Sequence, residues 1–304
     1  MKISVVGAGK VGSTLAFALS QRGFVSELVL VGRNREVTLG DALDMAHAQS
    51  FVEVPTRMVA GTVKDTAGSD IIAVCASIPT PPTMADRVAQ GPSNVRLMQE
   101  LLPPLAMLSP AAIFVMVSNP VDVLTHYAIE FTGFPAHRVL GSGTLIDSAR
   151  LRHELSLELG IHANDLRAYI LGEHGGSQFA AMSCASAGGE DIEDTPERRE
   201  LITQVVQAGL EIFKKKGHTN YGIALSVTSI LEAIALDTKH TLPVSVAVDG
   251  FLGVNDVCLS LPAVVGRGGI ERILHPRLNE TEAQAFHSSA EAVRCQIEIA
   301  RPAS

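Results

Sequence analysis

Six residues near the start restrict this chain more than any others: Gly7-Ala8-Gly9-Lys10-Val11-Gly12. They follow a β-branched run, Lys2–Val6, and open a stretch, residues 10–22, in which Val11, Leu15, Ala18 and Leu19 recur at helical spacing. A strand, a glycine-rich turn and a helix in that order form a phosphate cradle. The first glycine permits a tight turn and the second lets a pyrophosphate reach the backbone. The third lets helix and strand pack closely, with the helix N-terminus facing the anion. No Gly-Lys-Ser/Thr triplet follows, so a nucleoside-triphosphate P-loop is excluded. Further apolar runs at 28–31, 71–75 and 113–117 alternate with helical patterns, one of them at 37–47, which predicts a parallel sheet wound with helices.

The second half reads differently. Leu145–Leu159 predicts a helix, 168–171 a strand, and 200–215 and 220–236 two more helices. Residues 243–248 and 257–265 alternate like antiparallel strands. Ala283, Phe286, Ala290, Val293, Ile297 and Ala300 lie three or four apart and form one apolar helical face. The change of pattern puts a boundary near 140–143, giving an α/β unit over 1–141 and a mixed unit over 142–304.

Composition narrows the functional classes. With 304 residues, 46% apolar and 18% charged, the chain can bury a large core, which rules out global disorder. Its net charge of −8 and lack of tryptophan argue against a nucleic-acid surface. The longest apolar stretches, 71–76 and 111–117, fall short of the roughly 18 residues that span a bilayer. The apolar run 3–6 is too short for a signal-peptide core. Cys75, Cys184, Cys258 and Cys295 are scattered, with no C-x-x-C; three sit in apolar sequence and are expected to be buried thiols. No metal-ligating pattern appears, and the cytoplasm is the expected compartment.

A dinucleotide site normally places an acid about 20 residues beyond the glycines, on the ribose 2′-hydroxyl. Here that place holds Gly32, followed by Arg33, Asn34 and Arg35. A guanidinium in place of a carboxylate favours a 2′-phosphate, which points to NADP(H); the alternative is that Arg33 is a solvated loop charge. Three more segments set polar residues into apolar surroundings: Val117-Ser118-Asn119-Pro120, Asp147-Ser148-Ala149-Arg150 and Gly172-Glu173-His174-Gly175. Asp147 and Arg150 share a helical face, and His174 sits between glycines beyond a strand.

Taken together, GAGKVG (7–12), VSNP (117–120), GSGTLIDSARLR (141–152) and GEHGGS (172–177) resemble the L-lactate/L-malate dehydrogenase family, in order and spacing, across essentially the whole chain. HTNYGIALS (218–226) is similar to the lactate branch. The resemblance implies a Rossmann-type doubly wound parallel sheet followed by an α+β catalytic domain. It also implies an NAD(P)-dependent 2-hydroxyacid oxidoreductase that assembles as a homodimer or homotetramer.

By the same resemblance, His174 is the acid–base group, Asp147 orients and stabilises it, and Arg150 holds the substrate carboxylate. Asn119 fixes His174 or the substrate oxygen, Arg87 polarises the carbonyl from a loop, and Thr219 and Thr80 line the substrate pocket. The cofactor falls to Gly7, Gly9, Lys10, Val11, Gly12, Arg33, Ala76, Asn94, Val117 and Asn119. Arg152 and Arg167 fall where bacterial lactate enzymes of the family place an Arg and a His that bind fructose 1,6-bisphosphate between subunits; the alternative is that both are surface charges.

The chain departs from the family in the loop 76–94, where one extra residue is needed to bring Arg87 and Asn94 into register. The substrate-selecting position, about Thr80 or Pro81, holds neither the arginine of malate enzymes nor the glutamine of lactate enzymes. A dicarboxylate would leave a desolvated charge unpaired there, so a monocarboxylic 2-oxo acid such as pyruvate is expected. The alternatives are a malate dehydrogenase-like enzyme and a catalytically silent nucleotide-binding homologue. A related NAD-using glycosidase would need a Cys- and His-held metal that the sequence does not offer.

Overall fold

The computed structural model describes residues 1–79 and 90–302, and Thr80 and Arg87 lie outside the described residues. The first half runs β1 (Lys2–Val6), α1 (Lys10–Ser20), β2 (Glu27–Val31), α2 (Arg35–Ala48), β3 (Arg57–Gly61), β4 (Ile71–Val74), α3 (Gly91–Leu108), β5 (Ile113–Met116), α4 (Val121–Thr132) and β6 (Val139–Gly141). These six strands are parallel and lie in the order β3-β2-β1-β4-β5-β6. β4 and β5 are buried at every position, as uninterrupted apolar strands must be when helices cover both faces.

The second half continues with α5 (Leu145–Leu159), β7 (Leu166–Arg167), β8 (Ile170–Leu171), β9 (Phe179–Ala180), β10 (Ser186–Ala187) and β11 (Glu190–Asp191). It ends with α6 (Pro196–Lys216), α7 (Tyr221–Leu236), β12 (His240–Asp249), β13 (Asn255–Gly266), β14 (Gly269–Ile273) and α8 (Glu280–Ala300). β12, β13 and β14 form an antiparallel meander that joins the parallel sheet where Ser245 pairs with Gly141. The result is one nine-stranded sheet, β14-β13-β12-β6-β5-β4-β1-β2-β3, crossing the boundary read from the sequence.

Its main core draws on both halves, from Ile3 and Phe114 to Leu259 and Phe286. A second apolar cluster, with Leu151, Leu155, Leu166 and Val205, sits under α5 and α6. The apolar stripe of α8 is inside: Phe286, Ala290, Val293, Ile297 and Ala300 are buried, and Asn279 and Glu282 close the helix start as a capping box.

Three expectations need correction. The strand read at 168–171 is strand only at Ile170–Leu171, β8; a separate short strand, β7, precedes it at 166–167, and the two pair with different neighbours. β3 and β14, unread in the sequence, form the two edges of the large sheet. Only Cys258 is buried; Cys75 and Cys184 are half-buried and Cys295 is exposed, and all four are free thiols. Among the described residues no helix is long and apolar enough to cross a membrane.

Candidate active site

Strand order reverses between β1 and β4, and the loops leaving their carboxyl ends flank a crevice where open α/β sheets take ligands. Gly7 adopts φ +107°, and a Cβ there would lie 2.3 Å from the Ala76 nitrogen. The two loops can touch only because residue 7 has no side chain. A Cβ on Gly12 would fall 2.1 Å from the Gly7 oxygen, so this glycine allows α1 to seat against its own turn. Gly9 is different: a Cβ there would meet nothing within 4 Å. Gly9 is also the N-cap of α1, without a capping side chain, and the first turn carries no acid. The backbone N–H groups of Lys10, Val11 and Gly12 thus stand at an open, positively polarised helix end, which fits a pyrophosphate.

Beyond β2, a Cβ on Gly32 would lie 2.1 Å from Thr38 Oγ1, and Thr38 is buried and donates to the Asn34 carbonyl. Residue 32 therefore has no room for an acid. Asn34 caps α2 through the Val37 N–H, and Arg33 is exposed. On the other side, Ser118 Oγ donates to the Ala76 carbonyl at 2.6 Å, tying the loops after β4 and β5 together. Asn94, expected at the cofactor, has no exposed surface. Its Oδ1 accepts from the Ile78 N–H and its Nδ2 donates to the Asn119 carbonyl, each at 2.8 Å. Asn94 thus braces the loops after β4 and β5 against each other.

The acid–base constellation is built around one carboxylate. Asp147, in the first turn of α5, is 1% exposed. Its Oδ1 accepts from Arg150 Nη1 at 2.5 Å and its Oδ2 meets His174 Nδ1 at 2.6 Å. Arg150 reaches it because i and i+3 share a helical face. His174 comes from the loop after β8, where Gly172 adopts φ +86° and pairs with Ser260 of β13. Burial alone would raise the Asp147 carboxyl, but the His174 and Arg150 charges overcome it and hold the group below its ordinary value. An ionised carboxylate only accepts, so Nδ1 of His174 is the donor in that bond.

Both resemblances in sequence and in shape point the same way. Residues 1–141 match the model of the lactate/malate dehydrogenase NAD binding domain, and residues 144–301 that of the lactate/malate dehydrogenase alpha/beta C-terminal domain. The chain is 39% identical to an L-lactate dehydrogenase of Clostridium botulinum, covering 96% of this chain and 95% of that one. It is 41% identical to an L-lactate dehydrogenase of a Synechococcus strain, covering 99% and 100%. The crystal structure of a minor L-lactate dehydrogenase from Enterococcus mundtii, in a ligands-bound form, superposes with a TM-score of 0.94 at 30% identity over 99% of both chains.

This chain belongs to the lactate/malate dehydrogenase family.

It is a 2-hydroxyacid dehydrogenase of the lactate dehydrogenase type, built on the nicotinamide-binding Rossmann fold of that family. Several residues of the dehydrogenase site were not read from sequence. Asp122, in the first turn of α4, is 2% exposed; its Oδ2 accepts from the His174 backbone N–H at 2.7 Å and its Oδ1 from Ser245 Oγ at 2.6 Å. The signal was available: an acid inside the apolar run 121–124 has to be paired or functional. Glu173, also buried, accepts from the Ser177 N–H and hydroxyl and from Gln296 of α8, so it pins the far side of the His174 loop.

Thr219 is half-buried beside Asn220, whose Nδ2 donates to Thr14 Oγ1 on α1 and whose Oδ1 accepts from Lys216. The α6–α7 turn is thereby fastened to the helix that opens the phosphate cradle. Burial lowers Arg152, Tyr169 raises it against that, and the Arg167 charge lowers it again. A groove of about 590 Å³ between α5 and α6 is lined by Ile146, Arg150, His153 and Gln207.

Proposed function

We propose that this dehydrogenase interconverts a monocarboxylic L-2-hydroxy acid and its 2-oxo acid, with lactate and pyruvate as the first pair to test. The observation that carries this reading is the Asp147 fork, one buried carboxylate holding a guanidinium and an imidazole side by side. Residues 1–141 serve the cofactor and 142–304 the substrate. A bound nicotinamide supplies the hydride donor or acceptor, so the electron pair of the substrate C2–H bond needs no other redox partner. Gly7, Gly9, Lys10, Val11 and Gly12 hold the pyrophosphate, and Ala76, Val117 and Asn119 line the way to the nicotinamide.

Arg150 binds the substrate carboxylate by charge-assisted hydrogen bonds. In oxidation, His174 Nε2 takes the hydroxyl proton as the C2–H bond breaks; in reduction it returns that proton to the ketone oxygen. Asp147 stabilises the imidazolium formed between these steps. Asn119, Thr219, Thr80 and Arg87 complete the substrate pocket, with Arg87 polarising the carbonyl. The preference for one carboxylate over two rests on the sequence around Thr80, which offers no second cation.

NADP(H) is proposed as an accepted cofactor, because Gly32 has no room for the ribose-binding acid and Arg33 stands exposed beside it. A homodimer or homotetramer is proposed as the working form. Leu39 and Leu43, one turn apart on α2, are each about half exposed and Phe51 beyond the helix is 91% exposed, apolar surface that a lone subunit would leave wet. A reducing, cytoplasmic setting suits four free thiols. Initial rates on a panel of 2-oxo acids with both cofactors test the proposal. Faster turnover of oxaloacetate than of pyruvate and 2-oxobutyrate removes the monocarboxylate assignment. A kcat/KM about tenfold better with NADH removes the NADP(H) assignment.

A further inference from the structure

His174 is held from two directions. Asp147 of α5 holds its ring; its backbone N–H is held by a second buried carboxylate, Asp122 of α4, at 2.7 Å. Asp122 is fixed in turn by Ser245 of β12, the residue that pairs with Gly141 at the end of β6. It therefore stitches the start of α4, two residues after Pro120 and three after Asn119, to the histidine loop and to the strand linking the two halves of the sheet.

We propose that Asp122 is a positioning residue for the proton transfer at His174. Its carboxylate sets the height of the histidine loop against the Asn119 turn and adds a negative charge behind the imidazolium. This rests on His174 being the acid–base group, as proposed above. Asp122 does not touch substrate; it acts through the loop and through its field.

The charged neighbours are few and define the balance. Asp122 faces His174 and Glu173 on the loop after β8 and Cys258 on β13. His174 faces Asp147 on α5, which also holds Arg150. Burial raises Asp122, to about 6, against the hydrogen bonds from Ser245 and the His174 backbone, while Glu173 adds repulsion. Asp122 is therefore ionised at neutral pH and loses its charge in mildly acid solution. A proton placed between Oδ1 and Ser245 reverses that hydrogen bond and weakens the clamp on His174.

Two substitutions separate the clamp from the charge. In Asp122→Asn the amide oxygen still accepts the His174 N–H, but the charge is gone. In Asp122→Ala both are lost. The His174 ring is titrated by NMR in the wild-type protein and both variants, and kcat and KM for pyruvate reduction are measured against pH on the same samples with cofactor added.

The expected result is a His174 titration lowered by about half to one pH unit in Asp122→Asn, with the alkaline limb of kcat moving with it. Asp122→Ala loses a further ~10-fold or more in kcat, with a smaller change in KM. A His174 titration unchanged within about 0.2 unit in Asp122→Asn overturns the proposal, as does a pyruvate kcat whose pH profile in both variants is that of the wild type. If Asp122→Ala does not fold, Asp122→Asn decides alone. A titration that shifts in a protein that reduces no 2-oxo acid sustains the Asp122 assignment and counts against the proposed function, so the two failures are told apart.

Discussion

Asp147 and Asp122 make a controlled comparison inside one molecule. Both are aspartates in the first turn of a helix, both are all but fully buried, and both reach His174. Yet Asp147 is held below its ordinary range and Asp122 is pushed up to about 6. Burial raises both; the partners decide the sign. Asp147 bonds a guanidinium and an imidazole ring directly, whereas Asp122 bonds only a hydroxyl and a backbone N–H; the His174 charge lowers it as a lesser effect and Glu173 opposes that. Neutral donors satisfy a carboxylate's lone pairs without cancelling its charge. The region around Asp147 is therefore a charge pair that stabilises the fold, while that around Asp122 keeps a costly charge next to His174.

The comparison breaks most visibly at Asp147. Asp147→Ala leaves Arg150 and His174 beside a buried gap without their counter-charge, and unfolding by urea should show a loss of about 3–5 kcal/mol. A loss under about 1 kcal/mol would mean that the fork is solvated and energetically slack. Asp122→Asn should move the other way. Its folded value lies about 2 pK units above the unfolded one, so removing the ionised form at neutral pH should gain on the order of 1–3 kcal/mol. That gain, alongside an impaired acid–base group, is the signature of a residue kept for function.

The pH dependence sharpens the contrast. The stability from Asp147 is present above its unfolded value, near 4, and is lost as pH falls through its lowered folded value. Asp122, with its folded value raised, favours folding below about pH 4, and this contribution disappears as pH rises to about 6. The advantage of Asp122→Asn over wild type should therefore shrink between about pH 6 and pH 4, as measured by denaturation across that window. An advantage that grows toward acid would contradict the assignment. The smallest effect is expected from Ser245→Ala, which removes one neutral donor from Asp122 and should cost about 1 kcal/mol, read as a drop in Tm.

How much of this was legible in the sequence follows from the same physics. The buried strands β4 and β5 announce themselves as uninterrupted apolar runs, β1 and β2 as largely apolar, β-branched ones, and α8 by its 3–4 spacing. β3 and β14 were missed because they are the edges: Arg57-Met58-Val59-Ala60-Gly61 and Gly269-Ile270-Glu271-Arg272-Ile273 have one neighbouring strand each and need no continuous apolar run. Asp147, Arg150 and His174 were found because glycines, a helical spacing and a family resemblance converge on them. Asp122 was not, because its partner is a backbone N–H 52 residues away and no local pattern encodes that distance. The contacts of Asn94 were hidden for the same reason: the sequence gives its position in the loop region but not that its amide atoms bond Ile78 and Asn119.

The central claim is that the imidazole of His174, oriented by Asp147 beside Arg150, moves the proton in a nicotinamide-dependent interconversion of 2-oxo and 2-hydroxy acids. The direct measurement compares wild type with His174→Asn for pyruvate reduction, at saturating NADH and again at saturating NADPH, with cofactor affinity determined in parallel. The account predicts turnover by the wild-type protein and a kcat roughly 10²–10⁴-fold lower in the variant, with cofactor affinity retained. Equal turnover by both proteins, or a wild-type protein that binds nicotinamide and reduces no 2-oxo acid, would contradict it.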